Sequence, residues 1–163
     1  MSQFRIIMLV ALAMACGATR GRAADNRDAI TNTVLTCVKG IAAGDVDVIA
    51  STFAEDATAF FPSKSPARIS GKKAIAAAFA DLFGPNPRAT TITPREILVQ
   101  ELGEVAIVTA HLRDLPTTPI RDASTFPRRT FVLRRFGDQW LIVHLHASNF
   151  QLAPSAATKG DGK

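Results

Sequence analysis

The chain has 163 residues, of which 47% are hydrophobic, so its length and composition suit one domain with a single core. Its formal net charge is +5, but Arg5, Arg20 and Arg22 lie within the first 23 residues, which contain no acid, and the remainder carries only +2. Nucleic-acid binding requires basic residues clustered on one face. Because the chain after residue 23 carries a net charge of only +2, we expect no nucleic-acid partner.

Residues 1–23 have the pattern of a signal peptide. Arg5 precedes the apolar run Ile6–Ala15, and small residues precede a predicted cut before Ala24. The run is shorter than the roughly 20 apolar residues of a membrane-spanning helix. We therefore expect an exported protein, periplasmic or secreted, that has no membrane segment after cleavage. A lipid anchor at Cys16 is the alternative.

Helical periodicity dominates the first half of the remaining chain. Apolar residues at a spacing of about 3.6 residues predict one helix ending at Gly44, a second at Val46–Phe53 and a third at Lys72–Phe83. The stripe of the first helix is Ile30, Val34, Cys37, Val38 and Ile41. Because Cys37 lies within this stripe, we interpret it as a small buried hydrophobe and not as a nucleophile.

The period changes to two in the second half. Strands are predicted at Arg88–Leu102, Glu104–Arg113, Ser124–Phe136 and Gln139–Phe150, after a short strand at Ala57–Phe61. Helices followed by a meander of strands indicate an α+β fold, with three helices on the concave side of a strongly curved, mostly antiparallel sheet. One domain at 24–152 and a disordered tail at 153–163 complete the prediction.

Strict alternation gives the last strand two different faces. One face carries Trp140, Ile142, His144, His146 and Ser148, and the other carries Leu141, Val143, Leu145 and Ala147. We expect the histidine-bearing face to be concave and to continue into a cavity. The aliphatic face then needs a cover, and a second subunit packed on the sheet would supply it.

The turn Gly137-Asp138 sets an expected register for the last two strands. Counting from it places Arg129 opposite His146, and a bulge in the turn would exchange Arg129 for Arg128. Arg113 could reach the same region from the preceding strand. A guanidinium there could bind a carboxylate or phosphate, and a solvated strand edge is the alternative.

Three segments together resemble a known family. GDVDVIASTFAEDATAFFP, GKKAIAAAF and GDQWLIVHLHASN are similar to the SnoaL-like group of the nuclear transport factor 2-like superfamily. The last segment is also similar to the association domain of calcium/calmodulin-dependent protein kinase II. The resemblance covers roughly Asp28–Asn149. It implies a cone-shaped α+β fold, a helix-lined pocket on the concave side and a homodimer packed through the sheet.

The resemblance leaves three functions open. The first, which we favour, is an exported domain that binds a small, largely apolar ligand with room for an anionic group. The second is an isomerase, cyclase or dehydratase in which His146 is the base, assisted by His144 or Asp56. The third is a dimeric assembly module without catalysis. The predicted ligand-binding residues are His146, His144, Ser148, Arg129, Arg113, Phe79, Phe83 and Phe53.

Several chemistries have no support in the sequence. There is no P-loop, dinucleotide fingerprint, nucleophile elbow or zinc spacing, so we expect no cofactor. His111, His144 and His146 are the three histidines, but no carboxylate lies near the last two, so we expect no metal site. The two histidines of the last strand could also be structural, buried and hydrogen-bonded.

Overall fold

The structure is a computed structural model, and it describes residues 25–61, 67–85, 89–115 and 125–151. The predicted signal peptide and disordered tail lie outside these residues, as does the Cys16 anchor. Within the described ranges, no helix combines the length and apolar character needed to span a membrane.

Three helices and six strands make up the described chain. The helices are α1 (25–43), α2 (Val46–Ser51) and α3 (Lys72–Phe83). The strands are β1 (Phe53–Phe60), β2 (Ile69–Ser70), β3 (Thr91–Leu102), β4 (Val105–Leu115), β5 (Thr125–Phe136) and β6 (Gln139–Gln151). They form one sheet in the order β2-β1-β6-β5-β4-β3, in which only the β1–β6 pair is parallel. The predicted α+β class and mostly antiparallel sheet are confirmed.

The junction between α2 and β1 differs from the prediction. The Asp45 side chain accepts a hydrogen bond from the Val48 amide at 3.0 Å and begins α2, as the sequence indicated. The helix ends at Ser51, before the predicted Phe53, and the Thr52 hydroxyl donates to the Ile49 carbonyl at 2.6 Å. Phe53 instead begins β1 and is fully buried opposite Ile142. Its burial in the sheet outweighs the helical spacing that assigned it to α2.

The core lies between the helices and one face of the sheet, which we call the inner face. Ile30, Val34 and Cys37 of α1 are fully buried, which confirms the predicted stripe. Burial raises the pKa of the Cys37 thiol to about 12, so this group is not a thiolate nucleophile near neutral pH. The Thr33 hydroxyl donates to the Trp140 carbonyl at 2.9 Å and joins α1 to β6.

A β-bulge in β6 decides which side chains reach the inner face. Leu133 pairs with Ile142, whereas the next residue of β5 in the register, Val132, pairs with His144, so Val143 is an extra residue. Trp140 and Ile142 are buried before the bulge, and after it the buried residues are Leu145 and Ala147. The predicted common face of Trp140, His144, His146 and Ser148 is therefore wrong. The prediction assumed strict alternation along β6, which does not allow for the extra residue at the bulge.

Candidate functional site

A cavity of about 340 Å³ opens between the helices and the inner face of the sheet. Its lining is mostly aliphatic and aromatic, with three polar residues. From the helical side and the connections it is lined by Ile41, Phe61, Phe79, Leu82, Phe83 and Thr90. From the sheet it is lined by Ile92, Leu112, Pro127, Arg129, Phe131, Leu145, Ala147 and Asn149.

Three of the four phenylalanines that line this cavity form its aromatic side opposite the sheet. Phe79 and Phe83 lie one turn apart on α3, and their ring centroids are 5.9 Å apart with an interplanar angle of 29°. Phe61 packs edge-on against Phe79 at 4.8 Å. Phe79 and Phe83 thus lie where the sequence placed them. Phe53 does not, because it is fully buried in the core and outside the cavity lining.

Arg129 supplies the positive charge of the lining. It lies opposite Ala147, where the sequence count had placed it opposite His146, because the bulge at Val143 moves the register by one residue. Its Nη1 donates to the carbonyls of Arg128 at 2.9 Å and Ser148 at 3.2 Å. These bonds to the main chain orient a half-buried guanidinium at a mostly apolar cavity.

Asn149 is a polar lining residue that the sequence interpretation did not assign to the cavity. It lies opposite Pro127 and follows Leu145 and Ala147 at the same period of two. The alternation of β6 would have identified it if the face had been assigned correctly. Together with Thr90 and Arg129, it gives the cavity hydrogen-bonding groups amid apolar side chains.

His144, His146 and Ser148 lie on the opposite side of the sheet, which we call the outer face. The Thr58 hydroxyl and His144 Nδ1 share a hydrogen bond of 2.8 Å, and the Phe60 ring lies 5.9 Å from His144 and 6.0 Å from His146. Burial lowers the pKa of His144, with smaller contributions from the charges of His146 and Arg68. The predicted place of these three residues in the cavity is wrong, because the bulge at Val143 reverses the alternation of the side chains that follow it.

The remaining predicted residues also lie away from the cavity or beyond what is described. The exposed Asp56 carboxylate is 4.0 Å from Arg134 Nη2, and it is not part of the lining. Arg113 pairs with Thr93 in the β3–β4 register, but its side chain lies outside the described part of the chain. Hence no described lining residue is an aspartate, glutamate or histidine.

The described ranges contain no cluster of side chains suited to metal binding. Within them, no group of three histidine, cysteine or acidic side chains lies close enough to hold a metal ion. The arrangement at the cavity is instead that of a concave, mostly apolar site with a few polar groups, which is typical of small-molecule binding.

Comparison with known proteins identifies the same architecture. The SnoaL-like domain model matches residues 30–153. An NTF2-like protein of unknown function from Pseudomonas putida KT2440 shares 24% identity, with a TM-score of 0.67 over 78% of this chain and 87% of that one. A candidate calcium/calmodulin-dependent protein kinase type II association domain from Thiobacillus denitrificans ATCC 25259 shares 20% identity, with a TM-score of 0.62 over 73% and 93% of the two chains.

A third solved structure carries an enzyme-like description. The ketosteroid isomerase-like protein from Erwinia carotovora atroseptica SCRI1043 shares 16% identity, with a TM-score of 0.59 over 77% of this chain and 96% of that one. No curated protein matches the sequence. At these identities, the structural similarity shows the fold alone.

Proposed function

Because this chain belongs to the SnoaL-like domain family, we propose that its cavity is a binding site for a small, largely apolar molecule that carries one carboxylate. The observation that carries the proposal is the single guanidinium of Arg129 in a cavity whose other described side chains are almost all apolar. Residues 1–23 support the further proposal that this binding takes place outside the cytoplasm.

The size and lining of the cavity support an apolar ligand. Its volume of about 340 Å³ lies at the lower end of the range for small-molecule sites, roughly 300–1,000 Å³. Transfer of apolar ligand surface from water contributes about 25 cal/mol per Å². Offset or edge-to-face contacts with Phe61, Phe79 and Phe83 would add to this for an aromatic ligand. A flat, one- or two-ring molecule suits this side of the cavity.

Arg129 supports a carboxylate as the anionic group. A planar guanidinium matches a planar carboxylate with two parallel N–H···O bonds, and such charge-assisted bonds are stronger than neutral ones. The main-chain carbonyls of Arg128 and Ser148 hold the guanidinium on the side of the cavity that the sheet forms. The Asn149 amide lies in the same lining and offers a further donor to the ligand.

The lining favours binding over isomerase, cyclase or dehydratase chemistry. Those reactions need a group that transfers a proton at the ligand, usually histidine or a carboxylate. The described lining has no such group, and His144, His146 and Asp56 lie elsewhere. Binding therefore requires only residues that the cavity contains.

Arg129→Gln provides the test, with Arg134→Gln as the matched control on the exposed side of the same strand. We expect Arg129→Gln to weaken 2-naphthoate binding about 10- to 100-fold, since a hydrogen bond to a charged group contributes about 1.5–3 kcal/mol. The neutral isostere 2-naphthamide should lose much less, and Arg134→Gln should bind both as the original protein does.

Isothermal titration calorimetry measures each affinity. Equal losses for the acid and the amide would contradict the carboxylate assignment, because the effect would then be one of cavity shape. If neither compound binds the unaltered protein at millimolar concentration, the proposed ligand class is wrong.

A further inference from the structure

A second cleft, of about 200 Å³, opens on the outer face of the sheet beside an irregularity in β3. His111 lies opposite Arg128, and Thr109 lies opposite Thr130, so β4 and β5 bring four polar residues together. Thr130 and Arg128 are in turn opposite His146 and Ser148, which places this cleft on the outer face. It thus opens on the other side of the sheet from the apolar cavity, although Arg129 lines both.

Glu96 joins this group through an unusual backbone conformation. The β3–β4 register moves between Arg95, opposite His111, and Leu98, opposite Thr109, and Glu96 lies in this bulge with φ of +53°. A residue other than glycine rarely adopts a positive φ, and such backbone strain concentrates at functional sites. In this conformation Glu96 Oε2 lies 3.1 Å from Nδ1 of His111.

The Glu96–His111 contact determines what His111 offers to a ligand. A carboxylate that accepts from Nδ1–H fixes the ring orientation, and a protonated ring has Nε2–H as a second donor. The His111 side chain is 42% exposed, so solvent and small solutes can reach it. The charged groups around it are Arg95 and Glu96 on β3 and Arg128 and Arg129 on β5.

We propose that this cleft binds a small tetrahedral oxyanion, such as the phosphate group of a small monoester, when His111 is protonated. Arg128, the His111 imidazolium and the hydroxyls of Thr109 and Thr130 lie on two adjacent strands, and together they offer donors to several oxygens of one group. A phosphate group has three strongly accepting oxygens, whereas a carboxylate has two. Glu96 is the internal counter-charge, and it weakens the attraction of the cleft for the anion.

The experiment is an NMR titration of the full chain with sodium sulfate, at pH 5.5 and pH 8.0, with sodium chloride added to hold ionic strength constant. Sulfate keeps two charges over this range, so only the protein's protonation changes. We expect saturable shifts at residues 95–97, 109–111 and 128–130, with affinity at least about fivefold higher at pH 5.5.

Two variants and one control separate this site from general ionic effects. Arg128→Gln should weaken sulfate binding at least about fivefold, and Glu96→Gln should strengthen it at pH 5.5 by removing the counter-charge. Arg134→Gln, on the same strand and outside the cleft, should leave the affinity unchanged. Sodium acetate should bind more weakly than sulfate.

Three results would overturn the proposal. The first is shifts that do not saturate or that spread over the surface. The second is unchanged affinity in Glu96→Gln together with unchanged affinity in Arg128→Gln. The third is acetate binding as tightly as sulfate, because any anion would then satisfy the cleft.

Discussion

His144 is a residue whose protonation we expect to be coupled to folding. Its ring packs near Phe60 and shares a hydrogen bond with Thr58. Burial first, and then the charges of His146 and Arg68, lower its pKa from the ordinary value near 6.5. At pH values between the lowered pKa of folded His144 and 6.5, the unfolded chain binds more protons than the folded chain. The free energy of unfolding therefore falls as pH drops below about 6.5, and this contribution is complete above that pH.

His144→Gln should remove this pH dependence, because glutamine keeps a polar group near Thr58 but does not titrate. We expect the denaturation midpoint in urea to fall less between pH 7.5 and pH 5.5 in the variant than in the original protein. Urea titrations at the two pH values provide the measurement. An unchanged difference between them would show that other groups carry the acid sensitivity.

Gly40 allows α1 and α2 to approach each other closely. A Cβ added at this buried position would lie 2.8 Å from Ile49 Cγ1 and 3.0 Å from the Ile49 backbone nitrogen. We expect Gly40→Ala to lower the free energy of unfolding by about 1–3 kcal/mol, the usual cost of overpacking, although alanine favours helix formation. Thermal or urea denaturation measures this.

Lys39→Ala is the control for Gly40→Ala, since Lys39 is the exposed neighbour on the same helix. Its effect should stay within about 0.5 kcal/mol. If Gly40→Ala is as stable as Lys39→Ala, the close approach of α1 to Ile49 is not a constraint on the fold.

At the scale of elements, β6 joins the core, the cavity and the outer face. Its bulge at Val143 allows Ile142 to fill the core and Leu145 and Ala147 to line the cavity. It also directs His144 and His146 to the opposite face. One inserted residue thus separates the histidines from the cavity to which strict alternation had assigned them.

The phase of β6 can be tested with two adjacent residues. Leu145 is 1% exposed, so Leu145→Ala should lower the free energy of unfolding by about 2–5 kcal/mol. His146 is exposed, so His146→Ala should change it by about 0.5 kcal/mol or less and leave 2-naphthoate binding unaltered. Chemical denaturation and calorimetry measure the two effects. A larger loss of stability in His146→Ala would mean that the bulge lies elsewhere.

For the whole molecule, we propose that a homodimer packs through the part of the outer face that Leu98 and Leu102 form, between the His111 cleft and the β3–β4 turn. Leu98 and Leu102 of β3 share this face and are 55% and 61% exposed. Of the four aliphatic residues of β6 predicted at such an interface, Leu145 and Ala147 are instead buried on the inner face. Exposed apolar patches often mark interfaces, and a twofold dimer would pair this surface with itself.

The double variant Leu98→Glu, Leu102→Glu should be monomeric under conditions where the original protein is a dimer, because it places four carboxylates in the interface. Size-exclusion chromatography with light scattering at micromolar concentration measures the mass. Leu82→Glu, at an exposed leucine of α3, should leave the mass unchanged. A monomeric original protein would contradict the proposed dimer.

Periodicity alone determined the three helices, the four long strands and the fold class, but not β2 or the start of β1. The α1 stripe is local in sequence, because side chains three and four residues apart share a helix face whatever surrounds them. The strands after residue 90 and the turn at Gly137 likewise follow from short patterns, and Phe136 pairs with Gln139 as counted. Phe79 and Phe83 reached the cavity because their spacing on α3 fixes their common side.

Only the tertiary structure decided where the site lies. The bulge at Val143 arises where β6 pairs with β5 on one side and with β1 on the other, and the β1–β6 register is itself irregular between Phe53 and Thr58. These pairings join residues distant in sequence, so no local pattern reports them. They place Arg129 and Asn149 at the cavity and His144 and His146 on the outer face, because one extra residue reverses the alternation of every side chain after it.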